Sequence, residues 1–157
     1  MDLILWRHAH AGDPLLDAEQ DLHRPLSSKG ERQAQRMAAW LNRQLTESTR
    51  VLVSPATRAQ QTASALGRAF KTVDLLAPDK SVDDLLLAAR YPSSREPVLV
   101  VGHQPTLGLA VARLLETTDP SSQPWSVRKG SVWWFRTRER DGHVQLTLHA
   151  VMGPDTL

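Results

Sequence analysis

The chain predicts an α/β fold, with a mostly parallel sheet packed between helices. Three observations carry this expectation. Residues 3–6, 51–53 and 98–101 are continuous apolar runs rather than alternating ones, the pattern of strands covered on both faces. Helical periodicities separate these runs, and the order strand, helix, strand, helix calls for short crossovers onto a shared sheet. The C-terminal part then changes character. Residues 131–136 and 144–151 are strand-like and joined around Asp141-Gly142, a hairpin signal that adds antiparallel strands at one side.

Taken in order, the first run is followed by residues 9–27, which hold Gly12, Asp13, Pro14, Asp17, Asp21 and Pro25. They read as a loop, and one this long in a compact domain is usually functional or mobile. Ser28-Lys29-Gly30-Glu31 has the Ser-x-x-Glu form of a capping box. Ala34, Met37, Ala38, Leu41 and Leu45 follow at three- and four-residue spacing. Pro55 suits a helix start, and Ala59, Ala63, Leu66 and Phe70 make the next stripe. A short helix is expected over residues 82–89. Pro105 opens another, with Leu107, Val111, Leu114 and Leu115 on its buried side. A second loop, residues 116–130, carries Pro120, Pro124, Trp125, Arg128 and Lys129. Trp40 reads as a helix residue beside the core, and Trp133-Trp134-Phe135 as sheet packing with one ring outward. Trp125 reads as the anchor of its loop.

A chain of 157 residues fits one domain spanning 1–157, long enough to bury a core. Its 41% hydrophobic and 23% charged residues are ordinary for a globular protein. No apolar stretch approaches a membrane span, and Met1-Asp2 leads straight into a strand, so neither a membrane segment nor a secretory leader is read. The absence of cysteine removes disulfide and thiolate chemistry. A cytoplasmic location is the expectation. A net charge of +2, from 19 basic and 17 acidic residues, gives no overall field for nucleic acid. The basic residues are mostly arginine, whose planar fork suits bidentate phosphate recognition.

The apolar runs end in chemistry. Arg7-His8 follows the first, Ser54-Pro55-Ala56-Thr57-Arg58 the second and Gly102-His103 the third. Ligands in open α/β sheets bind beyond the carboxyl ends of the strands, so His8, Arg58 and His103 should converge there. Arg58 also falls in the first turn of its helix, where free backbone N–H groups favour an anion. Phosphoryl transfer needs neutralisation of the equatorial oxygens and an in-line nucleophile. Arg7 and Arg58 with a third cation supply the first, and a neutral imidazole supplies the second. The neighbouring guanidiniums should depress the imidazolium pKa and keep His8 neutral. His103 would donate a hydrogen bond to a phosphoryl oxygen. His23, His143 and His149 read as surface or packing residues, and His10 as a candidate for the pocket wall. Two other classes compete. His8-x-His10 with His103 resembles a three-imidazole metal site, but Arg7 and Arg58 would repel a divalent cation, so no metal is expected. A phosphate-binding module without turnover is the second.

Leu5-Trp6-Arg7-His8-Ala9, the segment from Leu52 through Ser54-Pro55-Ala56-Thr57-Arg58-Ala59 to Ala63, and Val101-Gly102-His103-Gln104-Pro105 resemble, in order, the three signatures of the histidine phosphatase superfamily, which includes the phosphoglycerate mutase-like phosphatases. Arg24-Pro25-Leu26-Ser27-Ser28-Lys29-Gly30 is similar to the Arg-Pro-Leu-Thr-x-x-Gly pattern of its compact SixA-type branch. The resemblance implies a three-layer α/β/α sandwich with His8 as nucleophile. It also implies that Arg7, Arg24, Arg58 and His103 bind the phosphoryl group, and that no metal or organic cofactor takes part. The substrate implied is phosphohistidine on a histidine phosphotransfer domain. A small phosphorylated metabolite, hydrolysed by a phosphomonoesterase of the same superfamily, is the alternative. The chain is too short for the large cap that small-molecule members tend to carry. Two positions depart from the family pattern: Ala9 and His10 stand where a glycine and an acidic residue are frequent. Relatives often carry an acid between the second and third motifs, which makes Asp84 in Ser81-Val82-Asp83-Asp84-Leu85 a candidate general acid. The same acids also suit a helix N-terminus.

Overall fold

One sheet of six strands organises the computed structural model, which describes residues 1–117 and 125–157. In chain order the strands are β1 (Asp2–Arg7), β2 (Arg50–Val53), β3 (Lys71–Thr72), β4 (Val98–Gly102), β5 (Val132–Arg140) and β6 (His143–Met152). They lie side by side as β3-β2-β4-β1-β5-β6. The first four are mutually parallel, while β5 runs antiparallel to β1 and β6 antiparallel to β5. The helices are α1 (Ala18–Leu22), α2 (Ser28–Gln44), α3 (Thr57–Ser64), α4 (Val82–Ala89) and α5 (Thr106–Leu114).

Strand β1 explains the layering. Successive side chains of a strand point to opposite faces, and Leu3, Ile4, Leu5 and Trp6 are all fully buried. Leu3 and Leu5 join Leu85 of α4 with Leu107 and Val111 of α5 on one face. Ile4 and Trp6 join Met37 and Leu41 of α2 with Ala59 and Ala63 of α3 on the other. The run is continuous because both faces are covered. The result is the expected three-layer sandwich.

Several local expectations needed correction. Residues 9–27 include a short helix, α1, capped by Asp17, whose side chain accepts the Gln20 N–H at 2.9 Å. The cap of α2 is Ser27 rather than Ser28, because the Ser27 hydroxyl reaches the Gly30 N–H at 3.0 Å. Gly30 is required there for another reason, since a Cβ would sit 1.9 Å from the His10 carbonyl oxygen. Helix α3 ends at Ser64 instead of running to Phe70; the chain turns at Gly67, with φ of +65°. Strand β3 is two residues long and has no apolar run to announce it. The helix at 82–89 has the expected bounds. At the hairpin, Asp141 and Gly142 have φ of +51° and +76°, the positive pair that a two-residue type I′ turn demands. Pro120 and Pro124 of the second expected loop lie outside the described residues. No helix among the described residues is long and apolar enough to cross a membrane.

Candidate active site

The sheet register builds the site. Trp6 of β1 and Val53 of β2 both stand opposite Val101 of the intervening β4. The three strands are parallel, so the chain leaves all of them at one edge, delivering His8, Ser54 and His103 together. Backbone bonds fix the exits: the His8 N–H donates to Gly102 O and the Ser54 N–H to Val101 O, each at 3.1 Å. The rings of His8 and His103 lie 5.2 Å apart, centroid to centroid.

His8 is buried, and its Nδ1 lies 2.8 Å from the carbonyl oxygen of Ala9. A carbonyl can only accept, so Nδ1 carries the proton and Nε2 keeps its lone pair. Burial, with the charges of Arg58, Arg7 and Arg24, pushes the imidazolium pKa down to about 3, against the opposing effect of the Ala9 bond. Desolvation is a larger cause of this depression than the neighbouring arginines. His103 is equally buried, and its pKa is pushed to about 2, first by burial and then by His8 and the three arginines. Its Nε2 lies 2.7 Å from Ser54 Oγ.

The arginines share a carboxylate that sequence reasoning treated only as a loop residue. Asp21 Oδ1 accepts from Arg24 Nε at 2.8 Å, and its Oδ2 lies 3.4 Å from Arg58 Nη2. Its backbone oxygen also accepts from Arg58 Nη1 at 2.8 Å. The Arg24 bond, helped by the Leu15 N–H and the Arg58 charge, holds the Asp21 carboxyl below its usual range. Arg24 further donates to Ala11 O and Gly12 O, and Arg7 Nη1 to Val127 O at 2.9 Å. The advance signal was the Asp21-x-x-Arg24 spacing, short enough for an ion pair across the end of α1. The threonine of the second motif ties the wall together: Thr62 Oγ1 accepts the Ala9 N–H at 3.0 Å and donates to Arg58 O at 2.7 Å.

Among the described residues, Arg7 Nε, Arg58 Nε, His103 Nδ1 and Arg50 Nη1 are buried nitrogens without a hydrogen-bond partner. Three of these four belong to this cluster. A buried polar group left unpaired costs about 1–3 kcal/mol. Burial lowers the Arg7 and Arg58 guanidinium pKa values, and repulsion from Arg58 and Arg24 respectively adds to it. A compact polyanion rich in acceptors would answer both deficits.

The match to known proteins agrees with that chemistry. The family model described as histidine phosphatase superfamily (branch 1) matches residues 3–81. The phosphohistidine phosphatase SixA of Escherichia coli (strain K12) is 34% identical over 128 residues, covering 76% of this chain and 78% of that protein. The chain belongs to the histidine phosphatase superfamily. A solved structure of the protein histidine phosphatase SixA complexed with tungstate superposes with a TM-score of 0.74 at 30% identity, covering 99% of both chains. A second, described as phosphohistidine phosphatase SixA from Nakamurella multipartitia, gives 0.75 at 29% identity, covering 98% of this chain and 95% of that one. Within the superfamily the chain is SixA-like, and it is a phosphatase.

Other expected participants of this histidine phosphatase are engaged in local contacts of their own. The His10 ring is engaged by the cap of α2, with Nδ1 2.6 Å from Ser27 Oγ, and the His10 backbone N–H donates to Gln33 Oε1. Among the described residues no three His, Asp or Glu side chains group as metal ligands. Asp84 spends its carboxylate on a capping box, accepting the Ser81 N–H at 3.1 Å. Hydrogen bonds from the Ser81 backbone and side chain hold its carboxyl below the usual range. Asp83 pairs with Arg113. His23, His143 and His149 are exposed. Trp125 anchors its loop, with Nε1 donating to Thr117 Oγ1 at 2.9 Å and its ring edge-on to Trp133.

Proposed function

We propose that this phosphatase removes phosphate from phosphohistidine on a phosphotransfer protein by way of a covalent phosphate on His8 Nε2. The observation that carries the reading is the His8 Nδ1–H bond to Ala9 O, which leaves a neutral, buried nucleophile with its lone pair on Nε2. Arg7, Arg24 and Arg58 neutralise the phosphoryl oxygens, and His103 adds a hydrogen bond. We further take residues 1–157 as one domain acting in the cytoplasm without a cofactor.

The steps balance without a dedicated acid. His8 Nε2 attacks phosphorus, and the bond from phosphorus to the substrate's ring nitrogen breaks. A substrate ring that holds a proton on its other nitrogen departs as neutral imidazole, a far better leaving group than an alkoxide. Water then attacks the phosphoryl group on His8 and passes its proton to solvent. The Nε2–P bond breaks, phosphate leaves, and His8 returns to its starting tautomer with Nδ1–H still donating to Ala9 O. The capping role of Asp84 is compatible with this route, since no alkoxide needs protonation. The names of the SixA relatives support the same substrate class.

The test is phosphate release from a phosphohistidine-bearing phosphotransfer domain, with p-nitrophenyl phosphate in parallel and His8→Ala as control. Loss of phosphohistidine with wild type alone, and slow ester hydrolysis, is the expected result. Fast ester hydrolysis with the phosphoprotein untouched would reassign the enzyme to small phosphorylated metabolites.

A further inference from the structure

We propose that Ser54 is a positioning residue that fixes His103 in its Nδ1–H tautomer, so that a neutral ring presents an N–H rather than a lone pair to the phosphoryl oxygens. The role assumes the phosphoryl site described above, but the evidence for the tautomer is independent of the substrate.

Ser54 is fully buried at the end of β2, out of reach of bulk water. A serine hydroxyl has one proton to give and two lone pairs to accept with. Ser54 Oγ accepts the Ala56 N–H at 3.1 Å and lies 2.7 Å from His103 Nε2. If it also accepted from an Nε2–H, its own proton would have no acceptor among the described contacts. If it donates to Nε2, every group at Ser54 is satisfied. Nε2 then holds the lone pair, and a neutral imidazole must carry its proton on Nδ1. That is the atom left buried without a protein partner, in a ring facing His8.

The consequence is electrostatic. Three arginines already crowd this pocket, and a fourth cation would add to their repulsion. A neutral donor contributes a hydrogen bond without adding charge. The opposite tautomer would aim a lone pair at phosphoryl oxygens and repel them. The same hydroxyl also holds the first turn of α3 through Ala56, so one atom registers both His103 and the helix that carries Arg58.

The experiment is 15N-edited NMR of the histidine ring nitrogens in the uniformly labelled full chain at neutral pH, with His103 assigned by its loss in His103→Asn. Wild type should show His103 with hydrogen on Nδ1 and an unprotonated Nε2. Ser54→Ala should move the proton wholly or partly to Nε2, and lower kcat by about 10- to 100-fold, the usual scale for an orienting partner. A packing role alone would lower the Tm and leave the tautomer in place. Wild-type His103 protonated on Nε2, or a Ser54→Ala ring still protonated on Nδ1, would overturn the proposal. If wild type fails on phosphohistidine but cleaves an ester, the substrate reading falls, while the ring spectra still decide this one.

Discussion

The two ends of β1 use the same chemistry to opposite effect. At its start, Asp2 accepts Arg136 Nε and Nη2, each at 2.9 Å, and Trp134 Nε1 at 3.1 Å. Burial alone would raise the Asp2 pKa, but the Arg136 and Trp134 bonds outweigh it and hold the carboxyl low; in return Asp2 raises the Arg136 pKa. That fork is closed. At the other end one carboxylate, Asp21, serves both Arg24 and Arg58, while among the described residues Arg7 is held by a carbonyl alone. Here the Arg7 and Arg58 pKa values fall instead of rising. A matched pair stabilises the fold, whereas an unmatched cluster gives up stability in order to bind. Unpaired donors and depressed cations together mark the working end of this molecule.

That contrast can be tested in descending order of effect. His8→Ala should cut phosphate release by about a thousandfold or more, because no other lone pair stands in place of Nε2. Arg58→Ala should lower kcat/KM by about 100- to 1000-fold, the range for losing a charge-stabilising donor. It should also weaken binding of inorganic phosphate measured by calorimetry. Asp21→Ala should cost about tenfold in kcat/KM by freeing Arg24 and Arg58, with Asp21→Asn retaining part of the activity through its remaining acceptor oxygen.

The pH response follows from His8 at about 3 and His103 at about 2. Both lie below the ordinary imidazole value near 6.5, so the unfolded chain binds these protons first as pH falls. Their contribution to stability is therefore fully present above pH 6.5 and is lost progressively as pH drops toward 3 for His8 and toward 2 for His103. Thermal melts should show a falling Tm over that window. His8 and His103 should add no imidazole limb of their own to the rate profile between pH 7 and 5. The smallest expected effect on catalysis is that of Asp2→Ala, which should leave the rate within about twofold while removing about 1 kcal/mol of stability from a partly exposed pair. A rate loss there as large as that at Asp21 would erase the difference between the two ends.

The legible parts of this protein were those written in contiguous residues. β1, β2 and β4 show as apolar runs, and the residues that follow them carry the motifs, so the sequence alone places His8, Arg58 and His103 at one sheet edge. Helix α1 and strand β3 are too short for periodicity to register. Asp21 was hidden because its meaning depends on Arg58, 37 residues away in sequence. The position of His10 depends on which serine caps α2, and sequence favoured the wrong neighbour. Ser54 sat inside a recognised motif, yet only the 2.7 Å contact with a ring 49 residues distant shows what its hydroxyl does.

The central claim is a phosphate carried on His8. Its most direct test is to quench turnover of a radiolabelled phosphohistidine protein under alkaline conditions, which preserve phosphohistidine, and map the label on the enzyme. The account predicts label on His8 through Nε2, and none in His8→Ala. Label on another residue, or turnover that persists at the wild-type rate in His8→Ala, would contradict it.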